Sequence, residues 1–259
     1  MSSSTFSLSD AGAACPGDAR PCATSAADLP TEQSGRCSSC AMRNICMPAG
    51  LDAQAYARLD EVICTSRRVA RGDSLFRAGT PFHSIYAVRV GSFKTVVAHP
   101  DGRQQVTRFD LAGDALGLDG IHDDRHTCDA IALEDSVVCI IPFHRLETLC
   151  SEVRAMQRHL HKMMSGEIVR ESGLMMQLGN MRADERVAAF LLNISQRMKA
   201  RGYSPTEFNL RMTRDELGSY LGMKLETVSR MFSRFQREAL IDARGRLVRI
   251  LDLERLKAV

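Results

Sequence analysis

The residues of this chain best suited to chemistry are thiols. Of nine cysteines, three fall within ten residues, as Cys37-Ser-Ser-Cys40, five residues, then Cys46. Thiols this close converge on one centre without a long loop closure, and thiolates favour zinc or iron–sulfur clusters. A closed zinc site needs a fourth ligand nearby, commonly from a second paired knuckle, and the sequence holds no second CxxC. Three local thiols and one remote thiol suit an iron–sulfur cubane better. A redox dithiol at Cys37 and Cys40 lacks the strand–CxxC–helix setting of thioredoxins. Spacing alone leaves iron–sulfur, zinc and redox chemistry open, in that order. An odd cysteine count does not describe a disulfide framework, and isolated thiols such as Cys64 and Cys150 read as small core hydrophobes.

A second group of residues suits polyanion binding. The formal charge of +3 is too small to mark a nucleic-acid binder. From Arg182 to the C-terminus, however, 16 Lys plus Arg face 10 Asp plus Glu, so a basic quarter follows a slightly acidic body. Within it, Thr213 with Glu216 three residues on forms a capping box that opens a short helix through Leu221. Gly222 permits a tight turn, and a second helix begins near Leu225, which makes a helix-turn-helix. Val228, Met231, Phe232 and Phe235 form the core stripe of that second helix, while Glu226, Ser229 and Arg230 occupy another face near its start. Arg230 can donate two bonds to a guanine edge, Glu226 can accept from a cytosine amino group, and Ser229 suits thymine or phosphate. Arg211, Thr213, Arg214, Lys224 and Arg234 are candidates for phosphate contacts, with Arg244 and Arg246 on a hairpin wing over Ile241–Ile250.

These groups need a scaffold. A chain of 259 residues, 44% hydrophobic, can bury one large core or two moderate ones. Residues 1–36 are rich in Ser, Ala, Gly and Pro and read as a mobile tail, in which Cys15 and Cys22 are irregularly spaced, poor surrogate ligands. From Arg68 to Phe143, short β-rich runs such as Ser84–Val90, Ser92–Ala98 and Ser136–Ile141 alternate with glycine turns, as in a sandwich or barrel. Residues 152–180 lack proline and predict one long helix. Its seam of Met164, Ile168, Glu171, Met175 and Leu178 has spacings of 4, 3, 4 and 3, the pattern of a two-stranded coiled coil. A pair of Glu171 carboxylates in such a seam repel each other by an order of 1–4 kcal/mol at intermediate dielectric. No run approaches ~18 apolar residues and the N-terminus has no basic leader with an apolar core, so the expectation is a cytoplasmic chain without a membrane span.

Gly72-Asp-Ser-Leu-Phe-Arg-Ala-Gly79, Tyr86–Gly91 and Leu111-Ala-Gly-Asp-Ala-Leu-Gly117 resemble the cyclic-nucleotide-binding jelly roll of the Crp/Fnr regulators. Nucleotide-binding members carry a ribose-gripping Glu directly after the last glycine and a phosphate-pairing Arg ten residues further on. Leu118 and Cys128 stand at those positions, so no cyclic nucleotide is expected, unless a re-registered loop brings in Arg125. The thiol triad, together with Cys139 in Val-Val-Cys-Ile-Ile-Pro142, is similar to the oxygen-sensing fumarate–nitrate reduction branch of that family. The similarity extends over residues 37–259 and through Glu226-Thr-Val-Ser229-Arg230, with apolar Leu225 before it.

The resemblance implies an α+β architecture of jelly roll, long dimerisation helix and C-terminal winged helix-turn-helix. Its segments are a tail (1–36), a cluster-binding stretch (37–50), the sensor (51–150), the dimer helix (151–181) and the DNA-binding domain (182–259). It implies a 4Fe-4S cluster on Cys37, Cys40, Cys46 and Cys139, with Cys128 as the competing fourth ligand. It further implies a homodimer on inverted TTGAT half-sites in double-stranded DNA, RNA polymerase as a further partner, and a seam that loosens when oxygen converts the cluster to a smaller form. Ala41 and Ile45 would limit oxygen access or simply pack. A zinc-bearing or cluster-free regulator is the alternative within the class. A thiol redox enzyme is the remote one, since no general base or nucleotide loop accompanies the thiols.

Overall fold

The computed structural model describes residues 36–63 and 65–259. The expectations for the tail with Cys15 and Cys22, and for Cys64, lie outside the described residues. The chain enters through a 3-10 turn, Cys37–Ser39, and a one-turn helix α1 (Arg43–Cys46), then helix α2 (Ala53–Val62). Asp52 caps α2, its carboxylate accepting from the Ala55 N–H at 2.7 Å.

Eight strands follow: β1 (Thr65–Val69), β2 (Ser74–Phe76), β3 (Ser84–Val90), β4 (Ser92–Ala98), β5 (Gln104–Leu111), β6 (Ala115–Leu116), β7 (Asp129–Ala132) and β8 (Ser136–Pro142). They form two four-stranded antiparallel sheets, in the orders β1-β8-β3-β6 and β2-β7-β4-β5. This is the sandwich that the glycine-punctuated runs predict, in the jelly-roll form that the family resemblance implies. Phe93, Val88, Val138 and Ala130 are fully enclosed between the sheets. Register sets one feature of the site: Cys139 of β8 lies between Ser66 of β1 and Ala87 of β3.

Two helices leave the barrel, α3 (Phe143–Glu152) and α4 (Arg154–Asn180). The long helix therefore starts two residues later than its composition predicts, because Val153 has extended backbone (φ −116°, ψ 96°) and divides it from α3. Along α4 only Met156 is buried. Of the predicted seam, Met164, Ile168, Glu171 and Met175 are exposed, as are neighbouring Val169 and Met176. Leu178 differs. It is half-buried, and its Cδ2 approaches the turn at Gly222.

The C-terminal part comprises α5 (Ala183–Ala200), β9 (Glu207–Asn209), α6 (Arg214–Leu221), α7 (Leu225–Arg237), β10 (Ile241–Arg244), β11 (Leu247–Ile250) and α8 (Leu253–Lys257). The predicted wing is present as β10–β11, and β9 adds a third strand to it. Leu191, Leu217, Leu221, Val228 and Phe235 make a fully buried centre. That core continues without interruption into Val96, Val106, Phe109 and Leu133 on the barrel's outer face. Lys94 Nζ to Glu216 Oε1 (2.7 Å) and Val106 N–H to Ser219 Oγ (2.9 Å) fasten the same contact.

Phe235 touches both the helix-turn-helix and the shared core, so removing its ring leaves a cavity as well as losing transfer energy. Phe235→Ala should lower unfolding free energy by about 3–5 kcal/mol, read from urea denaturation by circular dichroism.

Candidate functional site

The triad is positioned by small polar contacts. Ser38 donates through Oγ to Asp60 Oδ2 (2.5 Å) and through its N–H to Asp60 Oδ1 (3.2 Å), which pins the 3-10 turn to α2. Arg43 closes the loop from Nη1 to the Ser38 carbonyl at 2.7 Å. The Cys46 carbonyl lies 2.8 Å from His159 Nε2 on α4. Cys139 arrives from the barrel. Cys37, Cys40, Cys46 and Cys139 line a single cavity, with Arg43 and Arg89 on its wall.

Burial, then the neighbouring Cys139, pushes the Cys37 thiol up to about 12, and burial followed by Cys40 and Cys139 does the same for Cys46. Burial raises Cys139 too, against the opposing charge of Arg89. Cys37, Cys46 and Cys139 therefore keep their protons near neutral pH, and any metal must displace them to bind. The free space is about 20 Å3, room for one water. Among the described residues no three His, Cys, Asp or Glu side chains stand at metal-holding spacing. The donor chemistry is nonetheless selective: four thiols and no carboxylate on the wall suit an iron–sulfur cluster or zinc, and two guanidinium groups suit a centre with net negative charge. Cys128 lies elsewhere, in the barrel core, with Sγ 3.5 Å from Asp119 Oδ2.

In the loop after Gly117, His126 Nδ1 lies 3.5 Å from Asp119 Oδ1. Asp119 Oδ2 accepts from the Thr127 N–H (2.7 Å) and hydroxyl (3.3 Å), and Arg125 turns away to the Gly79 carbonyl at 2.6 Å. Nearer α4, Arg108 bridges the fully buried Asp110 to Glu167 (2.6 Å), which also holds Arg170 at 2.8 Å. Asp114 is held below the usual carboxylate range: burial works against its charge, and Arg197 and Arg201 outweigh it. The spacing of apolar residues carries no sign of these pairs, and neither does it single out His159.

In the helix-turn-helix, Thr213 Oγ1 accepts from the Glu216 N–H at 3.1 Å while Glu216 Oε2 accepts from the Thr213 N–H at 2.6 Å, completing the capping box. Gly222 has φ +63°, a left-handed turn that favours glycine. Glu226, Ser229 and Arg230 are all exposed on the first turns of α7, with Arg230 Nη2 donating to Thr227 Oγ1 at 3.2 Å. The phosphate candidates divide. Lys224 and Arg246 are exposed and make no ion pair among the described residues. Arg211 is paired with Glu134 (3.1 Å), Arg244 with Asp242 (3.3 Å), and Arg234 with Asp184 (2.9 Å) and Glu238 (2.7 Å). The Arg214 guanidinium carbon sits 3.4 Å over the Phe232 ring, and burial lowers its pKa to about 10.

A jelly roll joined by a long helix to a winged helix-turn-helix defines a transcription regulator that couples a sensor to a DNA-reading head. A cyclic nucleotide-binding domain model matches residues 66–153 and a Crp-like helix-turn-helix domain model matches residues 185–259. The chain is 45% identical to the transcriptional regulatory protein btr of Bordetella pertussis, over 85% of this chain and 91% of that protein. It is 42% identical to the transcriptional activator protein anr of Pseudomonas aeruginosa (83% and 88% covered). With the fumarate and nitrate reduction regulatory protein of Vibrio cholerae the identity is 38% (83% and 86%). Among solved structures, FixK2 from Bradyrhizobium japonicum superposes with a TM-score of 0.70 at 29% identity, covering 75% of this chain and 96% of that one. The chain belongs to the Crp/Fnr family of transcription regulators.

Raised thiol pKa values mean little thiolate at neutral pH, and thiolate is the reactive form. In metal-free protein at pH 8, Cys37 and Cys46 should therefore alkylate with iodoacetamide more than ~10-fold slower than free cysteine, read by peptide mass mapping over time.

Proposed function

We propose that this regulator senses oxygen through a four-iron four-sulfur cluster held by Cys37, Cys40, Cys46 and Cys139, and binds inverted TTGAT-type sites as a dimer while that cluster is intact. The observation that carries the reading is the convergence of four thiols, one of them 93 positions beyond the last of the triad, on one cavity. When bound, the cluster supplies an oxygen-labile centre whose integrity reports the absence of oxygen.

The chain's own residues would relay that state. Cys37, Cys40 and Cys46 hold the leading segment, Cys139 ties it to the barrel, and the His159–Cys46 hydrogen bond joins it to α4. On α4, Met164, Ile168 and Met175 offer an apolar stripe to a second copy, and the exposed Glu171 opposes its counterpart across the seam, which keeps pairing marginal. Leu178 contributes less, since it already touches its own helix-turn-helix. Pairing sets two recognition helices about 34 Å apart on successive major-groove faces. Arg230 and Glu226 then read bases, Ser229 contacts a base or phosphate, and Lys224 and Arg246 are the best placed of the phosphate candidates.

Leu118, Cys128 and the Asp119 carboxylate in the loop after Gly117 argue against a cyclic-nucleotide effector. RNA polymerase is the expected protein partner, the cytoplasm the expected location, and no catalytic activity is assigned. Among the described residues no helix is long and apolar enough to cross a membrane. Thiol-only donors also suit a zinc site, and colour separates the two: anaerobically purified protein should be brown with iron and sulfide, not colourless with zinc.

Footprinting on a TTGAT-N4-ATCAA duplex should protect both half-sites without air and lose protection in air. Cys139→Ser should cut iron per chain by more than half and abolish the anaerobic footprint; unchanged iron and footprint would overturn the reading. Glu171→Ala should remain dimeric in air by sedimentation where the parent is monomeric, and an equally monomeric variant removes the seam acid from the mechanism.

A further inference from the structure

We infer that Asp114 is a positioning residue that links the cysteine segment to the DNA-binding domain directly, alongside the dimer seam. The inference rests on the cluster reading above and concerns how that site is coupled to its output.

The turn between β5 and β6, residues 111–114, stands between three parts of the molecule. On one side lies the cysteine segment. Ile45 and Met42 pack on Gly113 so closely that an added Cβ would come 2.6 Å from Ile45 Cγ2, and Gly113 has φ +94°. Below the turn is the strand beside Cys139. The Gly113 N–H donates to the Val88 carbonyl (2.7 Å) and the Val88 N–H donates to the Asp114 carbonyl (2.9 Å), one residue beyond Ala87, the register partner of Cys139. The turn thus touches both the triad segment and the strand that neighbours the remote thiol.

On its other side the turn is gripped by α5, the first helix of the DNA-binding domain. The Asp114 carboxylate accepts from Arg201 Nη2 at 2.7 Å, from Arg197 Nη2, and from the Leu111 N–H at 2.8 Å. Arg201 Nε donates to the Ala112 carbonyl (2.6 Å) and Arg197 Nη2 to the Phe109 carbonyl (2.8 Å). The Arg201 side chain is 5% exposed. Arg197 and Arg201 lie one helical turn apart, so a shift of the carboxylate acts on the end of α5 as a unit. At its opposite end α5 holds α7 through Asp184–Arg234, and α7 presents Glu226, Ser229 and Arg230. Because Ile45 packs directly on the Gly113 turn, a displacement of the 42–46 segment changes what that turn packs against, and the arginine pair is placed to carry the change to α5.

The test separates this route from dimerisation. DNA affinity is measured by titration with and without air for the full-length parent, Asp114→Asn and Arg197→Gln, and expressed per dimer, with dimer concentration taken from sedimentation. Iron per chain is measured alongside. In the parent, air should lower per-dimer affinity by about fivefold or more. In both variants, with iron content and anaerobic mass like the parent's, that ratio should fall to less than about twofold. A merely structural clamp would weaken binding equally in both states and leave the ratio intact, which overturns the inference. So does a parent whose per-dimer affinity ignores air although iron is bound and lost. Arg197→Gln leaves the Asp114–Arg201 pair and serves if Asp114→Asn folds poorly. A parent without iron sinks the cluster reading and this coupling together.

Discussion

Four thiols brought into one small cavity are the constraint around which this part of the molecule is arranged. Burial, and then the neighbouring thiols, disfavours ionisation of Cys37, Cys46 and Cys139, which are packed as protonated sulfur. Nothing in the barrel alone requires this. Cys139 could be an ordinary strand residue, and the 37–46 segment, with a 3-10 turn and a one-turn helix, has little structure of its own. What holds the segment is a shared apolar cluster, in which Cys37 and Met47 are buried with Leu59, Ile63, Ala87 and Ile141, together with polar ties to α2 (Ser38–Asp60) and α4 (Cys46–His159) and the close contact of Ile45 with Gly113.

The long helix is where the sensor meets its surroundings. It is anchored to the barrel by the partly buried Arg108–Glu167 bridge, yet Met164, Ile168, Val169, Met175 and Met176 are exposed. A helix with an exposed apolar stripe is incomplete as a monomer structure. Glu171 lies exposed within that stripe, and under the proposed pairing it would oppose the closure that the apolar residues favour.

The parts legible in the sequence were those with local signatures. Ser84–Val90 and Ser92–Ala98 are strands to the residue, because two runs rich in β-branched and aromatic residues meet at a glycine turn. Helices α6 and α7 were legible from a capping box, a left-handed glycine and an apolar stripe. Less legible were features that depend on a distant partner. Asp114 is one carboxylate in a glycine-rich turn until Arg197 and Arg201 arrive more than 80 positions later. The extended residue Val153, which shortens α4, has no proline or glycine to announce it. β9 is three residues long and exists by pairing with β11. Of the phosphate candidates, sequence could count the positive charges but could not tell that Arg211 and Arg234 are engaged by Glu134 and Asp184.

The core that runs from the helix-turn-helix into Val96, Val106 and Phe109 has a consequence for modularity. Phe109, Asp110 and Leu111 are buried in succession, so β5 is covered on both faces, one by its own barrel and one by the DNA-reading half. Cutting the chain after α4 would strip one face of that strand and uncover Tyr220 and Phe190, whose rings pack edge-on and tilted around Phe109. A barrel transplanted from another regulator would need a matching outer face, not only a matching linker.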